Sequence, residues 1–579
     1  MKKLLLFLLC ALILAGCGTS DLPDATQATE VTLPEDYVYA PLISPDANET
    51  PFVSRFDSET VILLSDEEIQ VSGANSASVT FSNDIIYYEN KDAYESGNPY
   101  GEGEDADKHT AEEAAAHTVI NITAPGTYRV SGTLSLGQIR IDLGEDADKD
   151  PTAVVELILE NADITCTVAP AVLFLNVYEC DGNWDADTAK PDVDTTAAGA
   201  NLILEGENTV TGSHVAKIFK DKDGEKKLWK QDGAIYSYMS MNVYGPGSLD
   251  LTADNEGLDT ELHLSIWGGD IAIRSDNDGI NTNEDGVSVT TIHGGRLHII
   301  AGLGAEGDGI DSNGYLVING GIVVASANPA ADAGMDSDLG SFINGGTVIA
   351  LGSTMDWAES DSEQVTMNLQ FSQYQSGALV VTRPDGTVIF AYDPEADEVL
   401  GTQIRLYMGA ILSCPNFVQG ESYQVWLDGE LTGQETGGMY DPAAETGYAN
   451  GTQMAYSGTD VTMRPGFGNF GDFGNFGDRG GMGGERPQQP EGDMPTMPEG
   501  EIPSMPEGEM PTMPEGEIPS MPEGEVPSMP EGEMPSGPDD FGGQRPGDDR
   551  GQAPGDGAGS TLFYMQDKVN FFSGLAQVN

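Results

Sequence analysis

The 579-residue sequence predicts an all-β protein whose central part is a parallel β-helix, and two repeating features lead to this fold class. Four acidic turns recur, each closed by glycine, a hydrophobic residue and Asp or Asn. Four glycine pairs alternate with them, and their first members lie 26, 26 and 25 residues apart. The turns are Asp254–Asp259, Asp276–Asn281, Glu306–Asp311 and Asp332–Asp336, and the pairs are Gly268-Gly269, Gly294-Gly295, Gly320-Gly321 and Gly345-Gly346. A fixed period in the twenties, with alternating apolar residues and no helical periodicity, is typical of a solenoid whose coils stack around a shared core.

The glycines inside the acidic turns give the register of the predicted coils. Gly257, Gly279, Gly309 and Gly334 are spaced by 22, 30 and 25 residues. We therefore expect Gly257, Gly309 and Gly334 to occupy equivalent corners, and the segment from Asn281 to Gly286 to bulge out of its coil.

Composition and the N-terminus predict a protein on the outer face of a bacterial membrane. A formal net charge of −70 argues against nucleic acid or an anionic membrane surface as a partner. Two lysines precede an apolar run, Leu4 to Ala15, that is too short to span a membrane as a permanent helix. The run ends in Leu14-Ala15-Gly16-Cys17, which resembles the bacterial lipobox. The resemblance implies cleavage before Cys17, a lipid on its thiol, and attachment to the cell envelope.

The remaining chain divides by composition. We expect a lipoprotein signal peptide over residues 1–17, a flexible tether over 18–65, the β-helix over 66–355 and a C-terminal β cap subdomain over 356–465. Residues 466–560 are Gly-rich and then carry Pro-Glu-Gly octads, which predict an extended, disordered spacer. Residues 561–579 are strand-like, and we expect them to return to the cap. The lysine-rich segment 219–230 is expected to leave its coil as a loop.

The acidic turns are candidate calcium sites. Calcium takes six to eight oxygen ligands, and stacked turns bring carboxylates from successive coils to about 4.8 Å. Such a column repels itself unless cations intervene. The predicted ligands are Asp259, Asp276, Asp278, Asn281, Asp308, Asp311, Asn313 and Asp336. The alternative is that these Asp and Asn residues serve only as turn formers.

Three motifs resemble those of a known family. They are Thr127–Leu134, Asp232–Ser237 and Asp308–Gly314. Together they are similar to bacterial surface proteins with a carbohydrate-binding domain, over about residues 75 to 465. The resemblance implies a right-handed parallel β-helix similar to polysaccharide lyases, calcium in the turns, and affinity for plant-type or acidic polysaccharide.

Candidate ligand-binding residues follow from sugar chemistry. Aromatic rings stack on sugars, and arginines attract acidic glycans. The aromatic candidates are Tyr236, Tyr238, Tyr244, Trp267 and Tyr315, and the cationic candidates are Arg274 and Arg296. The alternative for each aromatic residue is packing in the core or at a coil edge. The histidines His263, His293 and His298 are expected at the surface.

The sequence as a whole favours calcium-dependent, non-catalytic binding of a polysaccharide, such as cellulose or an acidic pectin-like glycan. One alternative is a calcium-dependent polysaccharide lyase, in which Arg274 would remove the proton beside a uronate carboxylate. A second alternative is a purely structural or adhesive surface protein.

Overall fold

The computed structural model describes residues 38–43, 51–89, 105–222, 225–353, 356–399, 405–459 and 559–578. These residues belong to one compact unit, Met1–Gly480 with Ala558–Asn579. Within them the all-β prediction is confirmed, since the α-helix Ala111–Ala115 and short 3-10 turns interrupt a chain made mainly of strands. None of the described helices has the length and apolar character needed to cross a bilayer. The signal peptide, Cys17 and the spacer up to residue 558 lie outside the described residues.

Twenty-six strands precede the C-terminal β region. They are β1 (Glu59–Leu64), β2 (Gln70–Gly73), β3 (Val79–Ser82), β4 (Thr118–Ile122), β5 (Gly126–Leu134), β6 (Gly137–Asp142), β7 (Val155–Thr165), β8 (Val172–Asn176), β9 (Ala200–Glu205), β10 (Glu207–Gly212), β11 (Val215–Lys222), β12 (Glu225–Gln231), β13 (Gly233–Ser237), β14 (Met241–Tyr244), β15 (Ser248–Ala253), β16 (Glu256–Thr260), β17 (Leu264–Ile266), β18 (Asp270–Ser275), β19 (Ile280–Thr282), β20 (Val289–Ile292), β21 (Arg296–Ile300), β22 (Ile310–Ser312), β23 (Tyr315–Ile318), β24 (Ile322–Ser326), β25 (Gly340–Ile343) and β26 (Thr347–Gly352).

Most of these strands form three ladders of parallel neighbours. Ladder 1 contains β4, β6, β8, β13, β16, β19 and β22, with β3 antiparallel at its start. Ladder 2 contains β1, β5, β7, β10, β15, β18, β21, β24 and β26. Ladder 3 contains β7, β9, β14, β17, β20, β23 and β25. From β13 to β24 the chain visits ladders 1, 3 and 2 in that order, so each ladder gains one strand per repeat.

Alternating apolar residues of the ladders form one buried core. On ladder 2, Leu251 of β15 lies beside Ile273 of β18, which lies beside Ile299 of β21, and all three are fully buried. Burying a side chain of this size stabilises the folded state by roughly 1.5–3 kcal/mol. Ala325 and Ala350 occupy the next two positions of this buried row on ladder 2. Residues at equivalent positions of successive repeats therefore pack against one another.

The predicted equivalence of the turn glycines is confirmed and includes the fourth one. The Gly257 amide donates to the Asp278 carbonyl, and the next two turns repeat this bond. A Cβ on Gly257 would lie 2.5 Å from the Gly279 carbonyl oxygen, and one on Gly279 would lie 2.6 Å from that of Gly309. Real Cβ atoms do not approach this closely, so glycine is required at these corners.

Two connections between ladders are longer than the equivalent connections in other repeats. Residues 283–288 separate β19 from β20, where only 261–263 separate β16 from β17. The predicted bulge is therefore present but starts after Asn281, which lies in β19. Residues 301–309, between β21 and β22, form a second long connection that the sequence did not reveal. The segment 219–230 lies outside the three ladders, as expected, but its conformation as a loop is wrong, because β11 and β12 pair antiparallel as a separate two-stranded sheet.

The C-terminal region is a separate arrangement of mainly antiparallel strands. They are β27 (Thr366–Gln375), β28 (Leu379–Thr382), β29 (Val388–Tyr392), β30 (Tyr407–Ser413), β31 (Ser422–Leu427), β32 (Glu430–Thr432), β33 (Glu435–Thr436), β34 (Met439–Tyr440), β35 (Gly447–Ala449), β36 (Thr452–Ala455), β37 (Phe563–Tyr564) and β38 (Val569–Gln577). β30 pairs antiparallel with β26, which covers the last edge of ladder 2. β37 pairs with β31, and β38 pairs with β27 and β36.

The N-terminal segment is ordered over much of the range expected to be a flexible tether. β1 belongs to ladder 2, and Phe52 and Ser54 lie against it and its neighbours. Leu42 is fully buried, and Ala40 exchanges two hydrogen bonds with Asn416 of the C-terminal region. The tether prediction is therefore wrong for residues 38–43 and 51–64, because these residues contact strands far away in sequence.

Candidate functional site

The acidic turns stack into two parallel columns of oxygen-bearing side chains along ladder 1. Column 1 contains the acidic residue before each of the first three turn glycines: Glu256, Asp278 and Asp308. Column 2 contains the polar residue three positions later: Asp259, Asn281, Asp311 and Asp336. The register places Asp259 beside Asn281 and Asn281 beside Asp311. We refer to both columns together as the acidic columns.

The acidic columns hold buried like charges. Asp259 is fully buried, and Glu256, Asp278 and Asn281 are nearly so. Burial raises the pKa of Glu256 to about 7, with Asp232 adding to the rise. Burial, and then neighbouring carboxylates, raise the pKa values of Asp259, Asp278, Asp308 and Asp311 well above their ordinary range. The cause is the same throughout: each carboxylate has lost water and faces another carboxylate.

Three oxygen atoms of the columns lack a hydrogen-bond donor. They are Glu256 Oε2, Asp259 Oδ2 and Asn281 Oδ1, all of them buried. The other oxygens of the two carboxylates accept from side-chain amides: Glu256 Oε1 from Asn281 at 3.1 Å, and Asp259 Oδ1 from Asn283 at 2.6 Å. A buried acceptor without a donor costs about 1–3 kcal/mol, and more when it is charged. This donor set of hard, buried oxygens fits calcium.

A lysine lies at one end of the columns. The Lys230 ammonium lies 2.9 Å from Asp232 Oδ2 and donates to Asn283 Oδ1 at 2.6 Å. Oxygen atoms of Asp232, Glu256 and Asp259 lie within 4.8 Å of one another. Burial alone would lower the pKa of Lys230, but these carboxylates raise it well above its ordinary value. Lys230 therefore acts as a built-in counter-ion at this end.

Six of the eight predicted calcium ligands belong to the acidic columns, and two do not. Asp276 is exposed, three residues before its turn glycine. The Asn313 amide donates to the Asn283 carbonyl and to Asp285, so it fastens the long connection. The structure therefore does not bring these two residues together with the other six predicted ligands.

Sequence reasoning missed three residues that form part of the acidic cluster. Glu256 stands before Gly257 as Asp278 and Asp308 stand before their glycines, and this pattern was the available signal. Asp232 and Lys230 had no such signal, because they lie at the end of the hairpin that was expected to be a loop.

The predicted ligand-binding aromatics are scattered. Tyr236 is fully buried, and its hydroxyl donates to Glu261, so its ring offers no face to a sugar. Tyr238 contacts Tyr236 edge-on, and its hydroxyl donates to the Lys230 carbonyl at 3.0 Å. Tyr315 lies at the start of β23, 6.2 Å from the Phe342 ring.

Trp267 is part of a row of rings at the ends of ladder 3 strands. It stacks on His293 at 3.6 Å and contacts Phe52 edge-on, and Phe52 stacks on Tyr244 at 4.2 Å. His293 is partly exposed, while His263 and His298 are buried beside Asp181 and Asp397, so the surface prediction is wrong for those two.

Both predicted arginines, Arg274 and Arg296, already lie beside a carboxylate of the protein. Arg274, the base in the lyase alternative, lies 2.5 Å from Asp250. Arg296 donates to the Ile43 carbonyl at 2.6 Å and lies 3.7 Å from Asp270, so it fastens the N-terminal segment. Both lie on ladder 2, and not on ladder 1 with the acidic columns.

An open cavity of about 440 Å³ lies beside the row of rings that contains Trp267, Phe52 and Tyr244. Its walls come from the N-terminal segment and from strands of ladders 2 and 3, and they include Phe52, Phe56, Asp57, Glu59, Arg129, Glu156, Glu205 and Tyr244. Arg129 lies 3.1 Å from Glu59, 3.4 Å from Glu160 and 2.5 Å from Glu205. These contacts raise the pKa of Arg129, chiefly through the hydrogen bond to Glu205. We call this feature the N-terminal cavity.

Comparison with known proteins supports the resemblance seen in the motifs. Residues 116–374 match the model of a family described as carbohydrate-binding domain-containing protein, a shorter range than the motifs suggested. A relative from Acetivibrio thermocellus, also described as a carbohydrate-binding domain-containing protein, is 26% identical over 157 residues. The match covers 27% of this chain and 45% of that relative. A solved structure of a polysaccharide lyase-like protein from C. thermocellum, a gadolinium derivative, is 19% identical, with a TM-score of 0.30, and covers 50% of this chain and 92% of its own. The family match therefore confirms the resemblance to carbohydrate-binding-domain proteins over residues 116–374.

Proposed function

We propose that this protein is a non-catalytic carbohydrate-binding protein built on a right-handed parallel β-helix. The fixed order in which the chain visits the three ladders, one strand of each per repeat, supports the β-helix. The family match over residues 116–374 supports carbohydrate as the ligand.

The observation that carries the proposal is the N-terminal cavity. Its volume of about 440 Å³ suits one or two sugar rings, and it is open to solvent. It combines aromatic rings, which pack against the C–H faces of sugars, with carboxylates and a guanidinium, which bind hydroxyl groups. Neighbouring rings at Trp267 and His293 extend this surface along ladder 3.

Calcium in the acidic columns is the second part of the proposal. The three unpartnered oxygens, the oxygen-only ligands and the mutual repulsion of the carboxylates support it. Glu256, Asp278, Asp308 and the residues of column 2 would hold the ions. Calcium would supply positive charge that offsets the repulsion between coils, so carbohydrate binding would depend on it through the stability of the coils.

The place of action is the outer face of a bacterial membrane, with a lipid on Cys17 as the anchor. The signal-like N-terminus supports this part of the proposal. Metabolic labelling with a fatty-acid analogue tests it: label in the intact protein and none in Cys17→Ala supports the anchor, and equal label contradicts it.

A glycan array probed with calcium and with chelator tests the central function. We expect binding to at least one polysaccharide class, with a lower signal in chelator. Absence of binding in both conditions would refute carbohydrate binding and favour the structural or adhesive alternative. Release of unsaturated uronates, lost in Arg274→Ala, would instead establish the lyase alternative.

A further inference from the structure

The N-terminal cavity has more negative than positive charge. Four carboxylates line it, from Asp57, Glu59, Glu156 and Glu205, against one guanidinium from Arg129. Glu160 adds a further carboxylate 3.4 Å from that guanidinium. At neutral pH the charge of the lining therefore favours a cationic ligand over an anionic one.

Arg129 is not free to recruit an acidic sugar. Its Nη1 atom lies within hydrogen-bonding distance of Glu205, and its Nε atom donates to Glu59 at 3.1 Å. A uronate carboxylate would have to displace one of these partners and remain beside the other. Arg129 would then have no more carboxylate partners than before, and the uronate would be repelled by the carboxylate that remains.

The cavity wall is held in place before any ligand arrives. Glu156 is only 3% exposed and accepts hydrogen bonds from the Ser54 hydroxyl at 2.7 Å, the Arg55 amide at 2.8 Å and the Thr127 hydroxyl at 2.7 Å. These bonds fix the N-terminal segment across ladder 2. Phe52 is fixed by its stacking on Tyr244, with an interplanar angle of 9°. A preorganised wall lowers the entropic cost of binding.

We propose that the N-terminal cavity binds glycans that carry free amino groups, such as oligomers of non-acetylated hexosamine. This inference rests on the proposed carbohydrate-binding function and assigns its ligand class. Glu59 and Glu205 face the protonated amine and the hydroxyl groups. Phe52, which stacks on the buried Tyr244, forms the aromatic wall, where its ring contacts the sugar and its quadrupole attracts the ammonium. Glu156 is a positioning residue, since its contacts hold the N-terminal segment.

The test uses the full chain and three oligosaccharides of equal length: glucosamine oligomers, their N-acetylated forms, and oligogalacturonate. Isothermal titration in the presence of calcium gives the three affinities. We expect the amino form to bind most tightly and the uronate form least tightly. Raising the pH through the pKa of the amine should weaken binding of the amino form alone.

Two variants test the location, with matched controls. Glu59→Gln with Glu205→Gln should weaken binding of the amino form by about tenfold or more, because two charged contacts are lost. The control Glu67→Gln with Glu68→Gln removes the same charge from exposed residues outside the cavity and should change affinity by less than about twofold. Phe52→Ala should also weaken binding by about tenfold, whereas Phe81→Ala, 48% exposed on β3, should not.

The outcomes separate this inference from the function on which it rests. If both double variants weaken binding equally, attraction is nonspecific and the inference fails. Preferential binding of the neutral or uronate form also overturns it, but leaves carbohydrate binding intact. Absence of binding by all three oligosaccharides, combined with a blank glycan array, removes the proposed function and the inference together. Thermal melts of each variant check folding, because Glu59 and Glu205 also pair with Arg129.

Discussion

Among the side chains that the structure describes, Lys230 supplies the one ammonium beside the acidic columns. Replacing it by methionine removes this charge and leaves the length of the side chain nearly unchanged. Lys230 lies 2.9 Å from Asp232 and neutralises a group that includes Glu256 and Asp259. Removal of one partner from a buried ion pair costs about 3–5 kcal/mol. Because the Lys230 side chain is 22% exposed, we expect the lower end, about 3 kcal/mol.

For a chain with this many ordered residues, that loss corresponds to a fall in Tm of roughly 3 to 5 °C, measured by thermal unfolding in chelator. Calcium should then stabilise the variant by more than it stabilises the wild type, since an ion takes the place of the ammonium. Lys149→Met is the matched control: that side chain is 77% exposed and lies 3.5 Å from Asp148, so its Tm should change by less than about 1 °C. An unchanged Tm in Lys230→Met, or a calcium effect no larger than that of the wild type, would refute the counter-ion role.

Three more predictions concern the acidic columns. Burial raises the pKa of Glu256 in the folded protein to about 7, above the ordinary glutamate value of about 4.5, so this group contributes stability that is present below about pH 4.5 and is lost as the pH rises through 7. Thermal melts in chelator should show Tm falling over this window, and calcium should flatten the fall. Asp308→Asn should reduce the rise in Tm that calcium produces. Asp276 is exposed and lies outside the columns, so Asp276→Asn should leave that rise unchanged. Equal effects of the two substitutions would show that the columns are not the ion sites. Gly279→Ala should lower the free energy of unfolding by about 2 kcal/mol because its Cβ would meet the Gly309 carbonyl, while Gly182→Ala, with open space around it, should be neutral in the same denaturant titration.

The repeating part of the molecule could be predicted because its physical cause is local. Each acidic turn needs glycine where successive backbones approach closely, and each strand needs alternating apolar residues to face the core. Both requirements leave a fixed period in the sequence. The acidic columns follow from the same period, which is why six of their seven residues were expected.

The errors arise where contacts join residues distant in sequence. Ser54 and Arg55 bind Glu156, about a hundred residues away, so a proline-rich segment that reads as a tether is ordered. The N-terminal cavity was missed for this reason, although Tyr244 was among the candidate aromatics.

The burial of some polar residues also could not be predicted from the sequence. Tyr236 was expected to face a sugar, yet it is buried like the rest of β13, and its hydroxyl donates a hydrogen bond to Glu261. His298 is buried because Asp397 of the C-terminal region lies 2.7 Å from its Nε2 atom. Asp397 lies about a hundred residues beyond His298, so spacing within the repeat cannot identify it as the partner.

The most direct test of the account is a crystal structure grown with calcium and a glucosamine oligosaccharide, with anomalous scattering used to locate the metal. We predict anomalous peaks coordinated by Glu256, Asp278, Asp308 and the column 2 residues, and sugar density in the N-terminal cavity against Phe52. Columns without any peak, together with sugar bound only elsewhere on the molecule, would contradict the account.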